Sequence, residues 1–395
     1  MNSKDSKVGF NAPLWQNGFR PFFALAILFA IFAVTLWLVE IQQGAVLIQS
    51  MPVIKWHAHE MIFGYASAVI AGFLLTAVPN WTGTPGLTGK PLAVLAATWL
   101  CARIALVFCE TNSLAVAAVF ELLFYLGLCI AICKPILAAK QLKQVGIIAK
   151  VILLMASSSL YYYGTINHNL TLANAGLYSG FYMVVALTLV MLRRLLPFFV
   201  KSALQEELPT STTIDGISLA GFLVFWLAQV FSLAPVISTI VCFILFVVHL
   251  YRCITWIVQG VTTTPLLWVL YAAYGFLIAG FGFNAFQSSL AISPFVAIHA
   301  FAFGSIGIMT VGIMTRVAWG HTGRNLQKPP KLLNTIFWLI IGSGVTRTVL
   351  VQLAPSYHLS LIVLSGILWL AAFTFFMVIY VPLLFSERAD TKAFN

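Results

Sequence analysis

Twelve apolar runs of about twenty residues, separated by short polar breaks, leave this chain one kind of architecture. A run of that length crosses the hydrocarbon layer, where no water satisfies the backbone, so each run is a helix. The expected limits are 21–40, 57–79, 90–109, 114–134, 146–164, 171–197, 216–233, 235–252, 265–287, 294–317, 332–354 and 358–385. The narrowest break is Ala234-Pro235, between the seventh and eighth. Only 8% of the 395 residues are charged, against about 25% in soluble domains. The expected fold class is an all-α polytopic membrane protein, with residues 1–395 forming a single transmembrane domain. Met1 to Arg20 is polar and lacks the apolar core of a secretory signal.

The net charge of +11 is a matter of topology. Seventeen of the 21 lysines and arginines fall at the two termini or in the loops on the termini's side. Lys55 alone falls in the opposite loops, and Arg103, Lys150 and Arg347 lie within spans. This bias puts both termini in the cytoplasm. Nucleic acid is not needed to explain the basic charge.

Trp56-His57-Ala58-His59-Glu60 then opens the second span at its outer end. Ionisable groups inside a membrane are costly and point to function, and neutral imidazole is the commonest metal ligand. His299 lies about 7–8 Å into the tenth span from the same side. His57, His59 and His299 therefore share one depth near the outer surface. His168 and His358 sit in or beside outer loops, and His321 in the inner loop after the tenth span. Positions i and i+2 of a helix diverge by about 200°, so His57 and His59 do not both face one metal.

The chain also repeats. At an offset of 240 residues His59 falls on His299, Phe63 on Phe303, Gly64 on Gly304, Gly72 on Gly312 and Thr82-Gly83 on Thr322-Gly323. The following spans carry Arg103 and Arg347, both in the outer half. The unit is a histidine at the outer start of one helix and an arginine in the next. Two readings of the arginines stay open. One is an internal salt bridge, with Glu110 or Glu121 as partner of Arg103. The other is a haem, with His59 and His299 as axial ligands and Arg103 and Arg347 on its propionates, since arginine binds carboxylates in a planar, bidentate way. There is no Cys-x-x-Cys-His, so the haem would be of the b type. His57, His168 and His358 are the copper candidates, and Glu60 is a candidate for proton transfer or for orienting a ligand.

An offset of eight helices divides twelve into four, four and four. That plan resembles the catalytic subunit of haem-copper oxidases and nitric oxide reductases, but the sixth and seventh spans here lack the histidines that hold copper in those proteins. Arg20, in Phe19-Arg20-Pro21, is expected to snorkel at the interface. Tyr161, Tyr162 and Tyr163 are expected in the outer aromatic belt.

Four segments are similar to the NnrS family. They are Gly18-Phe-Arg-Pro-Phe-Phe23, Trp56-His-Ala-His-Glu-Met61, Gly72-Phe-Leu-Leu-Thr-Ala-Val-Pro-Asn-Trp-Thr-Gly83 and Gly320-His-Thr-Gly-Arg324. The resemblance runs from about residue 15 to 385. It implies a bacterial inner-membrane protein with haem and copper, linked to denitrification and to tolerance of nitric oxide and nitrosative stress.

Taken together, residues and resemblance imply a haem and copper redox protein that binds or reduces nitric oxide near the periplasmic face. Electrons would come from quinol or a partner protein. An oxidoreductase of the nitric oxide reductase type is one form of this reading; a sensor without turnover is another. A transporter for a small anion, metal or haem is the alternative, and the eight-helix offset argues against its six-plus-six plan.

Overall fold

The computed structural model describes residues 9–44, 47–48, 50–108 and 113–390. Glu110, Lys4, Lys7 and Lys392 lie outside the described residues. Twelve helices are long and apolar enough to span a membrane: α1 (Phe19–Gln43), α2 (Val53–Thr82), α3 (Gly89–Phe108), α4 (Ser113–Ala138), α5 (Leu142–Ile166) and α6 (Leu170–Leu204), then α7 (Thr212–Val230), α8 (Pro235–Thr255), α9 (Pro265–Ala285), α10 (Pro294–His321), α11 (Leu333–Leu353) and α12 (Pro355–Phe385). No strand occurs among the described residues. The chain is an all-α multi-pass membrane protein.

Local chemistry explains the shifted boundaries. Pro52 precedes α2, which starts at Val53 rather than 57, so His57 and His59 lie within its first two turns. Helix α7 starts early because the Ser211 side chain accepts a hydrogen bond from the Ile214 N–H, 3.3 Å, an N-cap. Helix α10 runs four residues past the expected 317, so His321 is its last helical residue, not a loop residue. Gly83 ends α2 at φ +67° with its N–H on Pro79 O, 2.8 Å, the left-handed termination that glycine permits.

Contacts cluster into two units, Met1–Met183 with Met314–Leu326 and Phe373–Asn395, and Val184–Ile313 with Gln327–Ala372. In the first, α1 packs on α2. A Cβ at Gly64 would meet Phe29 Cε1 at 2.7 Å, and one at Gly72 would meet Phe23 Cδ1 at 2.8 Å and Phe22 Cβ at 3.1 Å. In the second, α9 packs on α10 in the same way. A Cβ at Gly304 would meet Phe276 Cβ at 2.7 Å, and one at Gly312 would meet Leu270 Cδ2 at 3.0 Å and Val269 Cγ1 at 3.1 Å. The glycines match at the 240-residue offset, and their three partners match at a single offset of 247. The repeat read from histidines and glycines is thus a repeat of helix packing, in which small residues let helices approach.

The two copies share a rarer feature. Helix α2 changes to π-helical winding over Glu60–Ala66, and α10 over Ala300–Gly307. Each π segment begins at the residue after the paired histidine. Helix α11 has a third, Thr346–Leu350, which carries Arg347. Short π segments are rare and frequent at functional sites, because the wider turn re-aims side chains.

The tight glycines test the packing repeat. Gly304→Val overpacks against the root of the Phe276 side chain and lowers stability by about 1–3 kcal/mol. Gly275 has nothing within 4 Å of a built Cβ, and Gly275→Ala is neutral or stabilising by up to about 1 kcal/mol. Thermal unfolding in detergent, read by circular dichroism, separates them; equal melting points would refute the close approach at Gly304.

Candidate functional site

The first unit buries a charged cluster around the His59 motif. His59 and Glu60 are fully buried on α2, Arg103 is 3% exposed on α3, and Glu121 is 1% exposed on α4. Arg103 Nη1 donates to Glu60 Oε1 at 2.7 Å, and Nη2 is paired with Glu121 Oε2. Ser158 on α5 donates to Glu121 Oε1, and the Tyr162 hydroxyl donates to Glu121 Oε2 at 3.2 Å. A guanidinium in hydrocarbon needs an anionic partner, and two carboxylates from different helices supply it. The cluster therefore ties α2, α3, α4 and α5 together at one depth.

Glu60 Oε1 accepts from Arg103 Nη1 and lies 2.8 Å from His59 Nδ1, which donates to it. The other ring nitrogen, Nε2, is buried without a hydrogen-bond partner and lies 3.7 Å from Glu121 Oε1.

The imidazole is enclosed by aromatic rings. Phe63, Tyr161 and Tyr162 have centroids 5.0, 4.9 and 5.1 Å from it. Tyr161 and Tyr162 are each 2% exposed, so they line the site rather than the aromatic belt; only Tyr163 of the three is exposed, at 61%. Successive helical residues turn by about 100°, which sends the third tyrosine outward. The readable signal was polar spacing on α5: Ser158 and Tyr162 stand four apart, on one face.

His57 points elsewhere, as the i, i+2 spacing requires. Its ring stacks on Trp37 of α1 at 4.3 Å and 22°. His168 sits in the exposed turn after α5 at φ +54°. His299, in the second unit, has Nδ1 2.6 Å from Phe295 O. A carbonyl only accepts, so Nδ1 carries a proton and donates. Arg347 and His358 come together in that unit. They line a pocket of about 360 Å³ with Ser293, Phe295, Gln352 and Pro355. Among the described residues no three His, Cys, Asp or Glu side chains stand together at metal-binding spacing.

Arg20 does not snorkel. It is 1% exposed, and Nη1 donates to Leu384 O at 2.9 Å and Ser386 O at 2.6 Å. These carbonyls end α12, so Arg20 acts as a C-terminal cap from another helix. Beside it, Phe19 packs on His321 at 5.7 Å and its N–H donates to Thr76 Oγ1 at 3.0 Å. Three of the four recognised segments thus meet at the end of the bundle away from His59.

The NnrS protein family profile matches residues 13–388. The chain belongs to the NnrS family. No curated protein matches it. Membership supports a membrane protein of the nitric oxide response.

The ion-pair cluster makes a stability prediction. Arg103→Met strands two buried carboxylates and destabilises the fold by about 3–5 kcal/mol. Adding Glu60→Gln and Glu121→Gln removes the stranded charge and restores most of the loss. Thermal melts of the single and triple variants check this; no recovery in the triple variant would refute the ion-pair account.

Proposed function

We propose that this NnrS-family chain is a redox protein that binds nitric oxide within the membrane at a metal held by His59. The observation that carries this is the buried pair of His59 Nε2, which has no hydrogen-bond partner, and Glu121 Oε1, 3.7 Å away. An imidazole nitrogen and a carboxylate oxygen facing each other out of water suit a positive charge between them, the proton of an imidazolium or, in this reading, a metal ion. Imidazole and carboxylate are both ordinary metal ligands, so His59 and Glu121 would hold the ion. The Nδ1–H···Glu60 bond is the carboxylate contact that orients metal-ligating histidines and raises their basicity.

This reading places no porphyrin at His59, whose ring has Tyr161 and Tyr162 at 4.9 and 5.1 Å and Glu121 Oε1 at 3.7 Å, and no propionate on Arg103, which two protein carboxylates hold. Copper suits the His59 donors, as imidazole is a good copper ligand. Haem iron is assigned in this reading to His299, whose Nδ1 donates to Phe295 O at 2.6 Å, the kind of hydrogen bond that orients a ligating imidazole.

A copper ion at His59 would supply the electron to a bound nitric oxide. The protein groups do the rest. Glu60 accepts from the imidazole Nδ1 and from Arg103, which fixes the orientation of the ring. Ser158 and Tyr162 keep hydroxyl protons on Glu121, where they can stabilise charge or pass a proton. Phe63, Tyr161 and Tyr162 exclude water. Quinol or a redox partner protein is the electron source in this reading.

Metal analysis of purified protein, with reduced-minus-oxidised visible spectra, tests it. Wild type is expected to hold copper, and His59→Ala to lose it while His299→Ala keeps it. Glu60→Gln is expected to weaken copper binding by about 10–100-fold. Folded wild type without copper after copper loading would sink the proposal, as would full copper in His59→Ala. Anaerobic nitric oxide consumption with a quinol donor then separates turnover from binding.

A further inference from the structure

The two copies of the repeat differ at their acidic positions. At an offset of 240 residues Glu60 falls on Ala300, and at 244, the offset that carries Arg103 to Arg347, Glu121 falls on Ser365. The end of the second unit where α10 and α12 begin holds the pocket of about 360 Å³ described above. Three segments wall it: the entry to α10 with Ser293 and Phe295, the last turn of α11 with Val351 and Gln352, and the head of α12 with Pro355 and His358. Arg347 reaches the same wall and has an interaction of its own within the fold.

These walls are tied to one another by the fold itself. Gln352 Nε2 donates to Ala291 O at 3.2 Å, and its Oε1 accepts from the Ser293 N–H at 3.1 Å. One side chain of α11 thus clamps the backbone that leads into α10. The π turn Thr346–Leu350 lies directly before Val351 and Gln352, and its wider winding sets the direction in which both face. A site formed in advance loses less freedom on binding than one that must be ordered.

Lining and rim select an amphipathic ligand. Phe295, Val351 and Pro355 make the walls apolar. Phe295 is 59% exposed, and Leu290, Leu353 and Tyr357, each next in sequence to a lining residue, are exposed as well. Large apolar groups at the rim of a pocket favour hydrocarbon over water, so a ligand from the bilayer suits this mouth. Among the described residues the Ser293 hydroxyl and the His358 imidazole are in no hydrogen bond of the fold. Each can donate and accept, and they stand on separate segments. A hydroxyl and an imidazole on separate walls of an apolar pocket suit a flat ring with a hydrogen-bonding oxygen at each side. The volume falls in the range of small-molecule sites, about 300–1,000 Å³.

We propose that this pocket binds the ring of a quinone or quinol from the bilayer, with His358 and Ser293 hydrogen-bonded to its oxygens and its apolar tail leaving past Phe295. The position gives such a ligand a use. Phe295 stands one turn of α10 before His299, about 6 Å along the helix axis, and its carbonyl accepts from His299 Nδ1 at 2.6 Å. A quinol here is one helical turn from the imidazole assigned above to haem iron. That use as electron source rests on the redox reading; the binding does not.

Full-length protein as purified, in nanodiscs of neutral lipid, is titrated by calorimetry with a benzoquinone carrying one isoprene unit, with empty nanodiscs as the blank. Wild type is expected to bind the quinone saturably, one per chain. Ser293→Trp fills the pocket from an exposed position and is expected to abolish that binding. His358→Ala removes one hydrogen bond and is expected to weaken it by about tenfold, and His358→Gln to recover part of the loss. Ile240→Trp, on the exposed face of α8, is expected to bind as wild type does. No saturable binding by wild type overturns the proposal. Wild-type affinity in Ser293→Trp does so too, as does an equal loss in Ile240→Trp, which marks partition into lipid. Displacement of the quinone by acetate or nitrite at constant ionic strength also overturns it and gives the pocket to an anion. The redox reading fails separately. Quinone bound by protein that takes up no copper leaves this site standing, and copper at His59 with no quinone bound does the reverse.

Discussion

A guanidinium buried in the membrane must be neutralised where it stands, and Arg103 organises the first unit on that account. Glu60 reaches it from α2 and Glu121 from α4, while Ser158 and Tyr162 approach from α5. Without water, no single helix can supply both carboxylates and the hydroxyls that bind them, so four helices converge. The same convergence sets His59. Its orientation and burial follow from Glu60 being shared between an imidazole and an arginine. The placement of the imidazole is thus a by-product of solving a charge problem, and that is why histidine and ion pair occupy one place.

The spans were legible because each is about twenty apolar residues, and the bilayer imposes that length whatever the tertiary contacts. The division at Ala234-Pro235 was legible for the same local reason, proline being suited to the first helical turn. The divergence of His57 from His59 followed from helical geometry, and the Trp37 stack agrees with it. Helix ends were less legible. The shift at Ser211 depends on one side-chain hydrogen bond, and the extension of α10 to His321 on packing against Phe19.

The site itself was half legible. The sequence offered Arg103 either an internal carboxylate or a propionate, and hydropathy has no means of deciding between them. The choice depends on which face of α4 carries Glu121, a tertiary fact. Tyr161 and Tyr162 were misplaced because aromatic residues near a span's end suit both a lipid interface and a polar site. Arg20 was misplaced for a parallel reason. A basic residue at a helix end reads as a snorkelling cation, and the carbonyls that bury it come from the far end of the chain.

Divergence within the repeat separates scaffold from function. The elements common to both copies are glycines under large side chains, a histidine, a π segment after it and an arginine on the next helix. Glycine contacts explain close packing but do not call for π winding, which loosens hydrogen-bond geometry. A π segment starting one residue after the histidine in both copies implies that the position of the imidazole is what the winding serves. The acidic residues follow a different logic: both belong to the first copy, and with them goes the closed cluster. In the second copy the arginine lines a pocket with His358, Ser293 and Gln352. One packing plan therefore gives the same arginine two different surroundings, and the difference lies in side chains, Glu60 and Glu121 among them, and not in the fold.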